Sequence, residues 1–524
     1  MHLIYVYALV KIGLYDAFIL SGAYKRTSKG KDTSVRINET IKKVGVSIFT
    51  TKLTSILVFA LGTISSVPVV IWLCQYTVST IFFGFVFQLT FFVPLIVIDE
   101  QRVKDKRRDC LFCTTVTNRV VVDEPELQEN RVDLFMSWYC NFLMIPHIRV
   151  LVIFLFLLMF AGLAYSASLL EQSFDFTDML PKPSYLADYV DSLEKFNNGV
   201  SYNANIYFRY VDQSDVSIQR QMEEYVNRLV LLDSVSSQPA LFWLRDFQSF
   251  VEKNDLTSDT FNSFNKQLDN FLSIPVYHAL HKDDIVRDKQ GNILASRTKV
   301  RLDADNGNVT NLIEALKNQQ KVTTDQAVNK DREDMAFFIY DQNYLVWQFY
   351  SVAVYELILT SVIGITTISV IGMIFIPHWS AIFFIFPTIS SAFVDLMGVL
   401  QLAGISINAV SYVSLVMSVG LMVDYLIHMQ LRYYESEEIT REDKVKDTIR
   451  TMGTSILLGG ISTFLGILPL GFSTSDGLYT IFVTFIGLVT LGIGHGLILL
   501  PVILSIFGPT VNLDLSGKDT AGQL

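Results

Sequence analysis

Cysteine is scarce, and its placement excludes a disulfide framework. Of 524 residues only Cys74, Cys110, Cys113 and Cys140 are cysteine, and none lies within 171–350. That segment must be held together by packing alone. Cys110 and Cys113 have half of a zinc spacing, but a structural zinc needs four ligands and Cys140 sits close to a membrane span. No metal or other cofactor is therefore expected. Also lacking are a Walker loop, a Gly-rich dinucleotide fingerprint, a Ser/His/Asp set and a metalloprotease helix, so the chain is not read as an enzyme. No basic patch of nucleic-acid type is present. Charged residues make up 18% of the chain against 51% hydrophobic, and mean hydropathy is +0.38. This balance excludes an ordinary soluble protein and predicts a multi-pass protein of the plasma membrane or an endomembrane.

The formal charge of −10 hides an asymmetry. Residues 171–350 carry 27 acidic against 18 basic side chains, whereas 22–43 carries seven basic against two acidic. Short loops rich in Lys and Arg stay cytoplasmic, which places 22–43 and 99–147 inside. Apolar runs at 3–21, 46–65, 69–97, 148–169, 353–376, 380–403, 408–431, 453–473 and 477–507 predict nine transmembrane helices. The resulting divisions are 1–98, a linker at 99–147, a single helix at 148–169, an extracytoplasmic domain at 170–352, a five-helix bundle at 353–507 and a cytoplasmic tail at 508–524. The domain reads as α/β. Residues 203–211 alternate as a strand, Ser214 is expected to cap an amphipathic helix, and 288–292 reads as a turn before a strand at 293–302. Asn308-Val309-Thr310 is a glycosylation sequon on the expected outer side. Tyr340, Tyr344, Trp347 and Tyr350 are expected in an interfacial aromatic belt.

An internal repeat organises the membrane part. Residues 39–48 match 447–456 at five of ten positions, and the same offset carries Asp16 onto Asp424 without a gap. Parallel repeats of this kind place the working site at their interface. Because the first copy of the repeat lacks three spans that the second has, about three further spans and another ectodomain are expected upstream. Few ionisable groups fall within spans: Lys11, Asp16, Lys52, Asp395, Asp424, His428 and His495. A carboxylate at that depth costs roughly 2.5–3.5 kcal/mol on insertion scales unless it is compensated, so it is a functional candidate by default. Gly420, Asp424 and His428 are spaced four apart on one helical face, where a proton can pass from carboxylate to imidazole. Lys11 is the expected counter-charge for Asp424, while Lys52 reads as snorkelling and Asp395 as a polar contact between helices.

The run Gly404-Ile405-Ser406-Ile407-Asn408-Ala409-Val410-Ser411, followed by Ser418-Val419-Gly420-Leu421-Met422-Val423-Asp424-Tyr425 and His428, resembles the Patched, Patched-related and Niemann–Pick type C group. That group belongs to the resistance–nodulation–division (RND) superfamily. Gly494-His495-Gly496-Leu497 and Gly13-Leu14-Tyr15-Asp16-Ala17-Phe18 resemble further motifs of the group. The resemblance implies an RND-like polytopic α-helical membrane protein with one α/β extracytoplasmic domain, in which 1–98 is the end of a sterol-sensing bundle. It implies sterols or other membrane lipids as cargo, and protons or sodium ions as coupling partners. Gly420 and Asp424 would take the ion-coupling role, with His428 beside them and Asp16 as the surviving aspartate of the first repeat. Two departures stand out: Lys11 occupies a family glycine position, and Tyr15 that of an aspartate. The alternatives are a non-transporting sterol-sensing receptor or scaffold, and an inactive fragment of a longer permease.

Overall fold

The computed structural model describes residues 2–28, 30–105, 107, 131–173, 180, 183–196, 202–235, 241–254, 261–302, 308–376 and 378–510. Two compact units emerge, one formed by Met1–Glu171 with Val354–Leu524, the other by Gln172–Ala353. The first unit opens with α1 (His2–Lys25), α2 (Thr33–Gly62), α3 (Pro68–Phe87) and α4 (Val93–Lys104), the last two joined by a π-helical turn at Gln88–Phe92. After α5 (Arg131–Leu143) comes α6 (Pro146–Ser168).

The second unit contains α7 (Tyr185–Phe196), β1 (Tyr202–Arg209), α8 (Val216–Val230), α9 (Trp243–Lys253), α10 (Phe261–Ser273), α11 (Pro275–His281), β2 (Ile285–Arg287), β3 (Ile293–Leu302), α12 (Val309–Thr324) and β4 (Phe337–Tyr340). Its strands form one antiparallel sheet in the order β2-β3-β1-β4. Alternate residues of β1, namely Ala204, Ile206 and Phe208, are buried against Tyr225 of α8, Trp243 of α9 and Leu312 of α12. The cap of α8 is Asp215, whose carboxylate accepts from the Ser217 amide, and not Ser214. Ser214 instead donates to Asp212. The expected aromatic belt is also corrected: Tyr344 and Trp347 are buried in this unit's hydrophobic core, with their ring centroids 5.1 Å apart, rather than facing an interface.

The chain then continues through α13 (Tyr344–Phe375), α14 (Ala381–Leu402), α15 (Ala409–Glu435), α16 (Arg441–Thr448), α17 (Thr454–Ile467), α18 (Asp476–Ile493) and α19 (Leu500–Phe507). π-Helical turns at Ile449–Gly453 and Gly494–Leu499 join α16 to α17 and α18 to α19. Among the described residues, eight continuous helices are long and apolar enough to cross a membrane, and α1 occupies the place of the first expected span. The protein is a multi-pass integral membrane protein.

Helix ends differ from the hydropathy limits for a physical reason. Asp32 caps α2 by accepting from the Ser34 amide, so eleven residues of the expected basic loop are helical. Thr440 caps α16 in the same way, twelve residues ahead of the expected span. The sequence repeat is visible here as geometry. Asp32 and Thr440, Thr33 and Arg441, and Pro68 and Asp476 each stand 408 residues apart. The copies also pack reciprocally, α1 on α17 and α2 on α15. At the centre is α15, with 94% of its apolar window buried, compared with 6% for α6. Part of the expected linker is the amphipathic helix α5. It buries Met136, Cys140 and Leu143 and leaves Leu134, Phe135, Trp138 and Phe142 exposed. Cys110 and Cys113 lie outside the described residues.

Candidate functional site

Asp424 comes to lie where α1, α2, α15 and α17 meet. An Asn408–Ser411 capping box starts α15, and about three turns later Gly420 faces α2. A Cβ on Gly420 would stand 2.6 Å from the Phe59 ring, so the absent side chain is what allows α2 and α15 to close together. Ser55 adds a hydroxyl bond to the Gly420 carbonyl at 3.3 Å. The notch beside the carboxylate is thus filled by an aromatic ring.

One turn on, the Asp424 side chain is buried, and the Tyr15 hydroxyl donates to its backbone carbonyl at 3.0 Å. Tyr15 is held by three neighbours. Its ring lies 5.8 Å from that of Tyr425 and 5.4 Å from that of His428, and a Cβ on Gly459 of α17 would strike it at 2.5 Å. The next residue, Asp16, makes a buried ion pair with Lys52 at 2.7 Å. Its second carboxylate oxygen has no hydrogen-bond partner among the described residues. His428 is fully buried and does not snorkel; its Nδ1 lies 2.6 Å from the Ser47 hydroxyl, while Nε2 has no hydrogen-bond partner among the described residues. Asp424 is within electrostatic reach of Asp16, and Lys52 of His428.

The structure therefore brings Asp16, Gly420, Asp424 and His428 to one place. The side chain of Lys11, the expected partner of Asp424, lies outside the described residues. Lys52, expected from the sequence to snorkel, is instead buried as the partner of Asp16. It lies nineteen residues past the start of α2, too far along a transmembrane helix to reach water, and that depth was the available signal. Asp395 is also more than a polar contact, since His495 approaches it to 3.4 Å with both side chains buried. Asn308 is exposed and caps α12 through its side-chain oxygen, which accepts from the Thr310 amide at 3.0 Å. Phe59 also lines a small cavity, together with Val58, Gly62, Cys74, Thr360, Ser361, Val416 and Val419.

Chemically, the described side chains set two carboxylates against one ammonium in a water-poor interface between repeats. Residues 1–116 match the family model described as the sterol-sensing domain of SREBP cleavage-activation. The chain is 25% identical to NPC intracellular cholesterol transporter 1 homolog 1b of Drosophila melanogaster, over 97% of this chain and 46% of that protein. It is 26% identical to Patched-related protein 9 of Caenorhabditis elegans, over 96% of this chain and 58% of that one. This chain is a homologue of the Patched-related and NPC1-type proteins. Its fold agrees with the cryo-EM structure of the hedgehog release protein Disp from the water bear Hypsibius dujardini, with a TM-score of 0.68 at 13% identity, covering 97% of this chain and 63% of that one. The chain spans about half the length of the relatives it matches.

Proposed function

We propose that this protein moves or binds sterols or related lipids, and that the work is coupled to a proton or sodium ion taken up at Asp424. The observation that carries the reading is the buried cluster at the repeat interface. Asp16 already has a cation in Lys52, whereas Asp424 adds a second carboxylate, leaving the described side chains one negative charge in excess. An exchangeable cation would neutralise that excess, and its arrival or loss would change how tightly α1 and α2 hold α15 and α17. His428, whose Nε2 has no hydrogen-bond partner among the described residues, would share the ion or its proton from one turn away. Phe59 in the Gly420 notch would transmit a change at the carboxylate to α2. The lipid part of the proposal rests on kinship: two matched relatives are named as cholesterol transporters, and the matched model is a sterol-sensing one.

The test is lipid movement in reconstituted vesicles of the full chain, with and without an imposed proton or sodium gradient. Asp424→Asn should abolish the gradient-dependent component while leaving a folded, monodisperse protein. Unchanged movement would remove the coupling role. Sterol photo-crosslinking that persists with no gradient dependence in the unaltered protein would instead favour a sensor.

A further inference from the structure

We propose that Asp395 and His495 form a second proton-holding site in the membrane, separate from the Asp424 cluster. Asp395 stands on α14 and is fully buried. His495 belongs to the π-helical turn between α18 and α19 and is 1% exposed. Turns of this type widen the helix locally and are often found at working sites. Here the turn aims an imidazole across at a neighbouring helix.

The proton inventory follows from the partners. His495 Nδ1 lies 2.9 Å from the Leu491 carbonyl oxygen. A carbonyl only accepts, so Nδ1 carries a hydrogen and donates it. Nε2 is then either a bare lone pair or a second N–H, and it faces an Asp395 oxygen at 3.4 Å. Neither Asp395 oxygen has a hydrogen-bond partner among the described residues. A deprotonated carboxylate opposite a bare nitrogen would set two electron-rich atoms against each other with no compensation at this depth. One proton held between Nε2 and Oδ2 removes that conflict. It leaves the pair neutral overall, whether written as carboxylate and imidazolium or as carboxyl and imidazole.

The surroundings supply no substitute. From α6, Phe156 packs edge-on against the imidazole, with ring centroids 5.3 Å apart. The titratable residues of α6 are His147, Arg149 and Tyr165, all two or more turns from Phe156, and Arg149 is paired with Glu442. On α18, Asp476 and Tyr479 lie at the opposite end of the helix. From α15 comes Tyr425, whose ring would lie 2.6 Å from a Cβ on Gly492 and whose carbonyl would lie 2.6 Å from a Cβ on Gly496, and from α5 the Tyr139 hydroxyl donates to the Leu497 carbonyl at 2.9 Å, while Asp424 and His428 belong to the interface with α1 and α2. Sodium is disfavoured as occupant, because it seeks several oxygen ligands and this site offers one carboxylate and a nitrogen. The proton is the ligand the geometry fits.

The experiment is pH-difference infrared spectroscopy on the full chain in lipid nanodiscs, comparing the unaltered protein with Asp395→Asn, His495→Gln and Asp424→Asn. A buried carboxyl signal should vanish in Asp395→Asn, persist in Asp424→Asn, and shift its midpoint by about one pH unit or more in His495→Gln. A spectrum unchanged by Asp395→Asn overturns the proposal, as does a midpoint indifferent to His495→Gln. If Asp395→Asn fails to fold, nitrogen-15 signals of His495, assigned by their loss in His495→Gln, carry the test. A hydrogen-bonded, pH-responsive Nε2 supports the site, and an Nε2 that is neither overturns it. The Asp424→Asn arm keeps the outcome independent of the coupling role proposed above.

Discussion

Replacing Lys52 with methionine keeps the length of the side chain and removes its charge. In the intact protein the ammonium lies 2.7 Å from Asp16, with 4% and 3% of the two side chains exposed. At that separation and an effective dielectric of about 20, attraction amounts to roughly 6 kcal/mol, much of it offset by the cost of removing both charges from water. The pair as a whole is therefore worth little, but half of it is costly. Lys52→Met leaves an uncompensated carboxylate inside the bundle, where loss of one partner typically costs about 3–5 kcal/mol. That is about two to three and a half orders of magnitude in the ratio of folded to unfolded protein. The double variant Asp16→Asn with Lys52→Met contains no buried charge at this position and should recover all but about 1 kcal/mol. Unfolding midpoints of the full chain in detergent or nanodiscs, followed by tryptophan fluorescence, provide the measurement. If Lys52→Met is as stable as the parent, or the double variant is no better than the single, Asp16 and Lys52 do not depend on each other as argued.

Three further outcomes are expected. Gly420→Ala drives a methyl into the Phe59 ring and should cost about 1–3 kcal/mol, most of it restored by adding Phe59→Leu; thermal midpoints of the single and double variants decide this. Gly398→Ala should be harsher than Gly420→Ala, because its Cβ would meet the Leu163 carbonyl oxygen of α6 at 2.2 Å and backbone cannot rotate away; an equal or smaller loss would refute the close approach of α6 and α14. Endoglycosidase treatment should shift the mobility of protein made in a glycosylating cell, and Asn308→Asp should abolish the shift while keeping the cap of α12. Asn308→Ala should abolish it too, and also lower stability by about 1 kcal/mol.

The RND-like architecture was legible in the sequence because hydropathy and duplication speak directly to helices in a bilayer. The gap-free match around Thr40 and Thr448 even anticipates the shared helix starts. The burial of Asp16, Asp424 and His428 was legible too, since charge is rare in such segments. Partnership was not. Which lysine meets which aspartate depends on how far one helix slides and rotates against another, and the period of each helix is silent on that. Lys52 was thus set aside although its depth marked it, and nothing local announced that Phe59 would occupy the space over Gly420. Ser214 lost its capping role to Asp215 because both side chains suit the position and only the exit of β1 selects between them. Tyr344 and Trp347 were assigned to an interface by composition, yet Trp347 packs into a core that is assembled from strands and helices far apart in sequence.

The nearness in sequence of Asp16 and Lys52 bears on biosynthesis. Consecutive antiparallel helices carry them, so as soon as α2 emerges the two charges can meet and enter lipid as an ion pair. Asp424 is made some four hundred residues later and must find α1 and α2 already waiting, because its helix packs on the first repeat. Between the two events the ribosome produces the whole of the 172–353 unit. Assembly of the bundle is in this sense a delayed rendezvous, and agents that prolong the delay should expose the early hairpin to quality control before its later partners arrive.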